Sequence, residues 1–125
     1  MNGDERKLQV LREVCAAFDR HDLDAIMEHF TDDCIFEWPR GPEPNGNRVL
    51  GRDAVRQAFA DRFAGIPDVR YTDDSHFVAG DRGVSEWLLT GTTATGDRLE
   101  VRGCDIWTFE GDKIRGKNSF WKIRT

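Results

Sequence analysis

The sequence lacks any apolar run of the length that a membrane-spanning helix needs, about 18–20 residues. Its first residues, MNGDERKLQ, are charged and contain no apolar stretch of the kind found in a secretion signal. It also lacks a basic excess, because 23 acidic residues outweigh 18 lysines and arginines and give a net charge of −5. A nucleic-acid partner requires a basic face and is therefore not expected. We expect a cytoplasmic protein that does not contact membranes.

Cysteine is scarce, and its distribution excludes two common uses. Cys15, Cys34 and Cys104 are odd in number and form no C-x-x-C pair, so neither a disulfide framework nor a zinc site is predicted. Each lies among apolar neighbours, which favours a buried, inert thiol. The sequence also has no G-x-G-x-x-G, P-loop or G-x-S-x-G motif that would indicate a nucleotide cofactor or a serine hydrolase. We expect no cofactor and no metal.

The composition fits one globular domain over residues 1–125. A chain of 125 residues has the length of a typical domain, and 38% hydrophobic with 33% charged residues is the balance of a folded protein. At this size a chain buries about 65% of its extended surface, which is enough for a core and a modest pocket. No repeat or low-complexity segment divides the sequence.

Apolar periodicity predicts three helices in the N-terminal half. From Asp4 to His21 apolar residues recur every three or four positions, as in an amphipathic helix. Asp22 is placed to cap a second helix, whose apolar face extends to Phe30 before residues 31–33 break it. A third helix is predicted over residues 51–63.

The remaining segments predict strands. A short strand, Cys34–Trp38, stops at a proline, and the proline- and glycine-rich segment 39–49 is predicted as loop. This loop is interpreted either as a lid over a site or as an ordinary surface connection. Helices followed by an antiparallel meander indicate an α+β domain. The meander strands are predicted at residues 69–79 and 84–93 and, joined by a turn at Glu110–Asp112, within 97–121.

An acidic residue lies in the middle of an apolar strand face in this last segment. Alternation places Val101, Gly103, Asp105, Trp107 and Phe109 on one face of the strand. A carboxylate at that position faces either a core that penalises its charge or a cavity that uses it. Asp105 is therefore the leading candidate for an acid/base residue, and a structural ion pair is the alternative.

Six short motifs occur along the chain: DLDAI at 22–26, FTDD at 30–33, GRDAV at 51–55, GT at 91–92 after Trp87, GCDI at 103–106 and GDKI at 111–114. Their order and spacing resemble the nuclear transport factor 2-like superfamily, which includes steroid isomerases and SnoaL-like polyketide cyclases. The resemblance covers nearly the whole chain. It implies a cone-shaped α+β barrel, in which three N-terminal helices pack on a curved, mostly antiparallel sheet around a pocket.

The resemblance also implies a set of pocket residues. Asp105 stands where steroid isomerases keep a protonated acid and where the cyclases keep an acid/base aspartate. In the same alignment Glu86 and Lys117 face the pocket as catalytic partners of Asp105. Of the two carboxyl groups, Glu86 and Asp105, one would be protonated and the other ionised. Aromatic and apolar side chains would form the walls, either as ligand contacts or as ordinary core. These residues are Phe18, Phe30, Trp38, Phe59, Phe63, Leu88, Trp107 and Trp121, with His76 as a further candidate.

Three departures from the family pattern restrict the chemistry that the resemblance implies. Trp38 stands where the isomerases have their proton-shuttling aspartate, and Val14 stands where they have an oxyanion-hole tyrosine. Thr93 stands where the cyclases have a histidine. Steroid isomerase activity is therefore not expected, and cyclase activity does not carry over directly.

The sequence thus predicts a cofactor-free isomerase, cyclase, lyase or hydrolase acting by acid/base chemistry on a small apolar carbonyl compound. One alternative is a non-catalytic small-molecule-binding module of the same fold, and another is a dimeric accessory domain with a filled cavity. The opposite sheet face is expected to be apolar and to form a homodimer interface. Its predicted residues are Trp87, Leu89, Cys104 and Ile106.

Overall fold

The computed structural model describes residues 2–125 and places three helices against one six-stranded sheet. Within these residues no helix has both the length and the apolarity to cross a membrane. The helices are α1 (Gly3–Asp19), α2 (Leu23–Met27) and α3 (Arg52–Gly65). The strands are β1 (Phe30–Glu37), β2 (Arg48–Leu50), β3 (Arg70–Ala79), β4 (Arg82–Thr92), β5 (Arg98–Glu110) and β6 (Lys113–Trp121).

The sheet has the strand order β2-β1-β6-β5-β4-β3, and β2 and β3 form its open edges. Its pairs are antiparallel except β1 and β6, which run parallel. The chain from β3 to β6 forms the predicted meander. The structure therefore confirms the predicted α+β class, with three helices packed on a mostly antiparallel sheet.

Local sequence explains where the first two helices begin and end. The Asn2 side chain accepts a hydrogen bond from the Glu5 N–H and caps α1, and the Asp22 side chain caps α2 as predicted. The predicted first helix ended two residues too late, at His21 instead of Asp19. His21 has a φ of 61°, in the left-handed region, and so reverses the chain between the two helices.

The N-terminal strands differ from the prediction in two ways. β1 begins at Phe30, which was assigned to the second helix, and Phe30 pairs with Ile114 of β6. The short strand β2 lies at the end of the predicted loop 39–49 and pairs with residues 35–37 of β1. Three residues are too few to show strand alternation in a sequence. The segment 39–47 is thus the connection of a hairpin.

The core fills the space between the helices and the inner face of the sheet. Phe59 of α3 lies at its centre, with ring centroids 4.8 Å from Phe18, 5.0 Å from Phe36 and 5.7 Å from Phe30. Trp107 of β5 is fully buried in the same cluster. These aromatic rings therefore connect two helices to two strands, and they fix the position of the inner sheet face.

The predicted orientation of β4 is wrong. Trp87 and Leu89 are buried on the inner face, whereas Glu86 is exposed and Leu88 is half-buried on the outer face. The register with β5 explains the reversal, because Glu86 lies opposite the outward-facing Cys104. Glu86 and Leu88 are therefore not cavity residues, and Trp87 and Leu89 are not part of an outer interface.

A glycine on β5 makes the inward position of Trp87 possible. Trp87 lies directly opposite Gly103, and a Cβ atom at residue 103 would come within 2.5 Å of the indole ring. The ring occupies the space that any larger residue would fill. Its indole N–H is thereby directed along the inner face toward Asp105.

Candidate active site

The Asp105 carboxylate lies inside the protein, with 3% of the residue exposed, and accepts hydrogen bonds from three side chains. Lys117 Nζ and Ser119 Oγ donate to Oδ1 at 2.8 and 2.5 Å, and Trp87 Nε1 donates to Oδ2 at 2.9 Å. Strand pairing places these groups together, since Asp105 lies opposite Ser119. The predicted inward orientation of Asp105 and Lys117 is confirmed, and the two residues form a buried ion pair.

The Lys117 ammonium group is surrounded by aromatic rings. It uses one N–H for Asp105 and a second for Ser119 Oγ at 2.7 Å. Within residues 2–125 the third N–H has no hydrogen-bond acceptor and faces aromatic surfaces, which attract a cation through their quadrupoles. The distances from Nζ to the ring centroids are 4.8 Å for Phe36, 5.1 Å for Phe18, 5.7 Å for Trp107 and 5.8 Å for Phe59.

A second polar network lies beside the first and occupies His76. The His76 ring contacts Ser85 Oγ through Nδ1 and Asp74 Oδ2 through Nε2, both at 2.7 Å. Ser85 also accepts a hydrogen bond from Trp107 Nε1 at 2.9 Å. A β-bulge between Thr72 and Ser75 brings Asp74 toward the histidine. His76 therefore points inward, but both ring nitrogens are engaged and it does not line the cavity.

Two narrow spaces adjoin the ion pair, with volumes of about 20 and 10 Å³. Each holds about one water molecule. The hollow expected between Trp38, Asp105 and Trp121 is therefore nearly filled, and a ring compound requires its wall to move. Both spaces are lined by Phe18, Tyr71, Trp87 and Lys117; the larger adds Phe36, Trp38, Phe59, Arg62, Ser119 and Trp121, and the smaller adds Cys15, Asp74 and Asp105.

Arg62 closes the larger space on its solvent side. Its guanidinium carbon lies over two indole rings, 5.1 Å from the Trp38 ring centroid and 4.9 Å from that of Trp121. All three residues are half-buried. Arg62 lies on α3 three residues after Phe59, which places both side chains on the face that meets the cavity.

Burial changes the acidity of two further groups at the cavity. It raises the pKa of the Cys15 thiol to about 12, and the nearby Asp105 charge adds to this effect. Burial also raises the pKa of the Tyr71 phenol well above its usual range, against an opposing effect of the Arg62 charge. Both groups are therefore neutral at physiological pH. All three cysteines are free thiols; Cys15 and Cys34 are buried as predicted, whereas Cys104 is only half-buried on the outer sheet face.

The predicted wall residues divide into three groups. Phe18, Trp38, Phe59 and Trp121 line the larger space, whereas Phe30 and Trp107 belong to the surrounding core. Phe63 stacks on His21 with centroids 4.3 Å apart, away from the ion pair. The prediction omitted Phe36, Arg62, Tyr71 and Trp87 from the cavity. Two features of the chain indicate cavity positions that the prediction missed. Arg62 has the helical spacing from Phe59 that places both on one face, and Trp87 lies opposite a glycine on β5.

A family model of the SnoaL-like domain matches residues 11–116. The chain belongs to the SnoaL-like family. No curated protein sequence matches it significantly. Across residues 2–125 of this SnoaL-like protein, no group of three or more His, Cys, Asp or Glu side chains is arranged to hold a metal ion.

Solved structures show the same fold. A candidate polyketide cyclase from Xanthomonas campestris pv. campestris is 17% identical, with a TM-score of 0.86, covering 97% of this chain and 93% of its own. A nuclear transport factor 2-like protein of unknown function from Mesorhizobium loti is 28% identical, with a TM-score of 0.80 and coverages of 98% and 96%. TerC, co-crystallised with polyporic acid, is 17% identical, with a TM-score of 0.78 and coverages of 94% and 92%.

Proposed function

We propose that this SnoaL-like protein is a cofactor-free acid/base enzyme that acts on a small carbonyl compound bound against Lys117 and Asp105. The third N–H of Lys117 carries the proposal, because it has no acceptor in residues 2–125 and the residue lines both spaces. A substrate carbonyl oxygen would accept this hydrogen bond. The ammonium group would then stabilise negative charge on that oxygen in a water-poor site.

Asp105 would exchange the proton. Its Oδ2 accepts only the Trp87 hydrogen bond and so keeps a second lone pair, and Asp105 lines the smaller space. This oxygen would take a proton from the carbon next to the carbonyl, the C–H electron pair moving into the enolate held by Lys117. Return of a proton to carbon completes isomerisation or exchange. The co-crystallised ligand of TerC supports a small-molecule role for this cavity.

A second candidate function is a binding module without turnover. One observation favours it, since Asp105 and Lys117 already satisfy each other in a buried ion pair. In that case the polar groups would only orient a ligand. The two candidates differ in whether a bound carbonyl compound exchanges protons.

Deuterium exchange distinguishes them. Cyclic ketones such as cyclohexanone are screened by thermal shift, and compounds that bind are incubated with the protein in D₂O while NMR follows the hydrogens next to the carbonyl. An enzyme exchanges these hydrogens faster than buffer, and D105N binds the compound without exchange. Glu110→Gln is the matched control, because Glu110 is an exposed carboxylate at the end of β5, the strand that carries Asp105. Binding to the wild type without exchange would support the binding module.

We also propose that the outer sheet face binds a second copy of the chain. The contact residues differ in part from those predicted from the sequence. Cys104 and Ile106 face outward as expected, and Phe77 and Phe120 are 60% and 47% exposed. A groove of about 370 Å³ on this face includes Phe120 and carries Glu86 and Arg102, charges of both signs that suit a self-complementary contact.

The oligomeric state tests this interface. Light scattering after gel filtration is expected to give a dimer for the wild type and a monomer for Phe120→Glu. Leu50→Glu is the control, since Leu50 is 65% exposed but lies on the edge strand β2. A monomeric wild type, or a dimer that survives Phe120→Glu, contradicts the proposal.

A further inference from the structure

Arg62 is the one charged group at the larger space that the proposed reaction leaves unused. Among the described residues seven other arginines form ion pairs with carboxylates, and on the same helix Arg56 lies 2.7 Å from Asp24. For Arg62, no carboxylate in the described chain lies within ion-pair distance. It is nevertheless half-buried against two indoles, where water screens its charge less than at an open surface.

The guanidinium group of Arg62 keeps its N–H donors available for a ligand. Its carbon lies over the Trp38 and Trp121 rings at comparable distances, and within residues 2–125 its N–H groups form no side-chain hydrogen bond. These donors form a planar fork that matches a carboxylate. An anion bound there would compensate a charge that is now partly desolvated and has no partner.

The charge balance of the cavity favours the same ligand. The inner cation, Lys117, is neutralised by Asp105, whereas Arg62 adds one uncompensated positive charge. Tyr71 lines both spaces, and within residues 2–125 its hydroxyl forms no side-chain hydrogen bond. Since burial keeps this phenol protonated, it is a further donor for a ligand oxygen.

We infer that the ligand of this cavity is a small planar acid, whose carboxylate binds the N–H groups of Arg62 and whose ring lies among the aromatic walls. The inference deepens the proposed function, which supplies the carbonyl contact at Lys117, but it rests on the separate contacts of Arg62. Trp38 and Trp121 stand at or just beyond the ends of their strands, so the wall can open where the backbone is least constrained by pairing.

Benzoate and its neutral isostere benzamide are the probes, titrated into the protein and followed by NMR chemical shifts. We expect the wild type to bind benzoate at least about tenfold more tightly than benzamide. Arg62→Gln should bring the two affinities within about twofold, whereas Arg56→Gln, on the same helix, should leave the ratio unchanged. Raising NaCl from about 0.05 to 0.5 M should weaken benzoate binding to the wild type and leave benzamide binding unaffected.

Equal affinities for the two probes, failure of both to bind, or a ratio that Arg62→Gln does not change would overturn the assignment of an acidic ligand. None of these results alters deuterium exchange of a neutral ketone, which tests the proposed function. Conversely, a benzoate preference that depends on Arg62 in a protein without exchange would support the acid site and reject the catalysis.

Discussion

Two cations lie against aromatic rings along the same cavity, and they differ in what neutralises them. Lys117, at the inner end, is 6% exposed and forms an ion pair and hydrogen bonds with Asp105 and Ser119. Arg62, at the outer end, contacts two indoles and no carboxylate of the described residues. A buried charge requires a partner, whereas a half-buried charge can remain available. Lys117, the inner cation, therefore stabilises the fold, and Arg62, the outer one, is free to bind a ligand.

The largest expected effect comes from removing the inner cation. Lys117→Met would leave the Asp105 carboxylate buried without its counter-charge, and we expect the free energy of unfolding to fall by about 3–5 kcal/mol. Arg62→Met removes no ion pair and should change it by less than about 1 kcal/mol. Guanidinium chloride titration measures both. Equal losses for the two variants would show that the cations do not differ in the way described.

An intermediate effect is expected from the donors around Asp105. In D105N an amide N–H₂ would face the Trp87 N–H, so two donors would oppose each other where a charged hydrogen bond now exists. Trp87→Phe should therefore cost less stability in the D105N background than in the wild type. We expect a coupling energy of about 1–2 kcal/mol from the double-mutant cycle. Additive losses would indicate that this hydrogen bond does not hold the carboxylate.

The smallest effect is expected at an exposed, fully paired cation, which shows what pairing contributes without burial. Arg70 binds Asp19 at 2.7 and 2.9 Å, and this hydrogen-bonded guanidinium, aided by the Tyr71 N–H, lowers the pKa of Asp19. The lowered pKa stabilises the fold above the unfolded value of about 4, and the stabilisation is lost as pH falls through the folded value. Because solvent screens the pair, Arg70→Gln should lower the free energy of unfolding at pH 7 by less than Lys117→Met or Trp87→Phe.

Acid titration provides the control for this last prediction. The difference in unfolding free energy between wild type and Arg70→Gln should shrink as pH falls from about 4 through the lowered folded pKa of Asp19, and it should vanish once Asp19 is protonated in both proteins. A difference that stays constant from pH 7 to pH 2 would mean that Arg70 acts through packing and not through its charge.

The sequence predicted the inner face of β5 and β6 but not that of β4, and the reason lies in their patterns. β5 has one apolar face interrupted by Asp105, so alternation alone gave its orientation. On β4 both alternating sets contain large apolar residues, Leu88 on one and Trp87 on the other. Only the register with β5, where Gly103 admits the indole, decides between them.

The size of the cavity could not be predicted for a different reason. Strand and helix periodicity gave Phe18, Trp38, Phe59 and Trp121 as wall residues, and all four line the larger space. Whether that space is open depends on side-chain positions, above all on Arg62 lying over two indoles from distant segments. Such contacts follow from tertiary packing and leave no period in the sequence.

The bulge in β3 has a consequence for how the molecule behaves at high concentration. β3 is ten residues long and is an unpaired edge of the sheet, the kind of strand that can recruit another chain into a growing intermolecular ladder. Between Thr72 and Ser75 its register shifts, and Asp73 there adopts a φ of 49°. The regular row of N–H and C=O groups along the free edge of β3 is therefore interrupted at Asp73 and Asp74. The device that brings Asp74 to His76 therefore also protects the protein against fibril-like self-association.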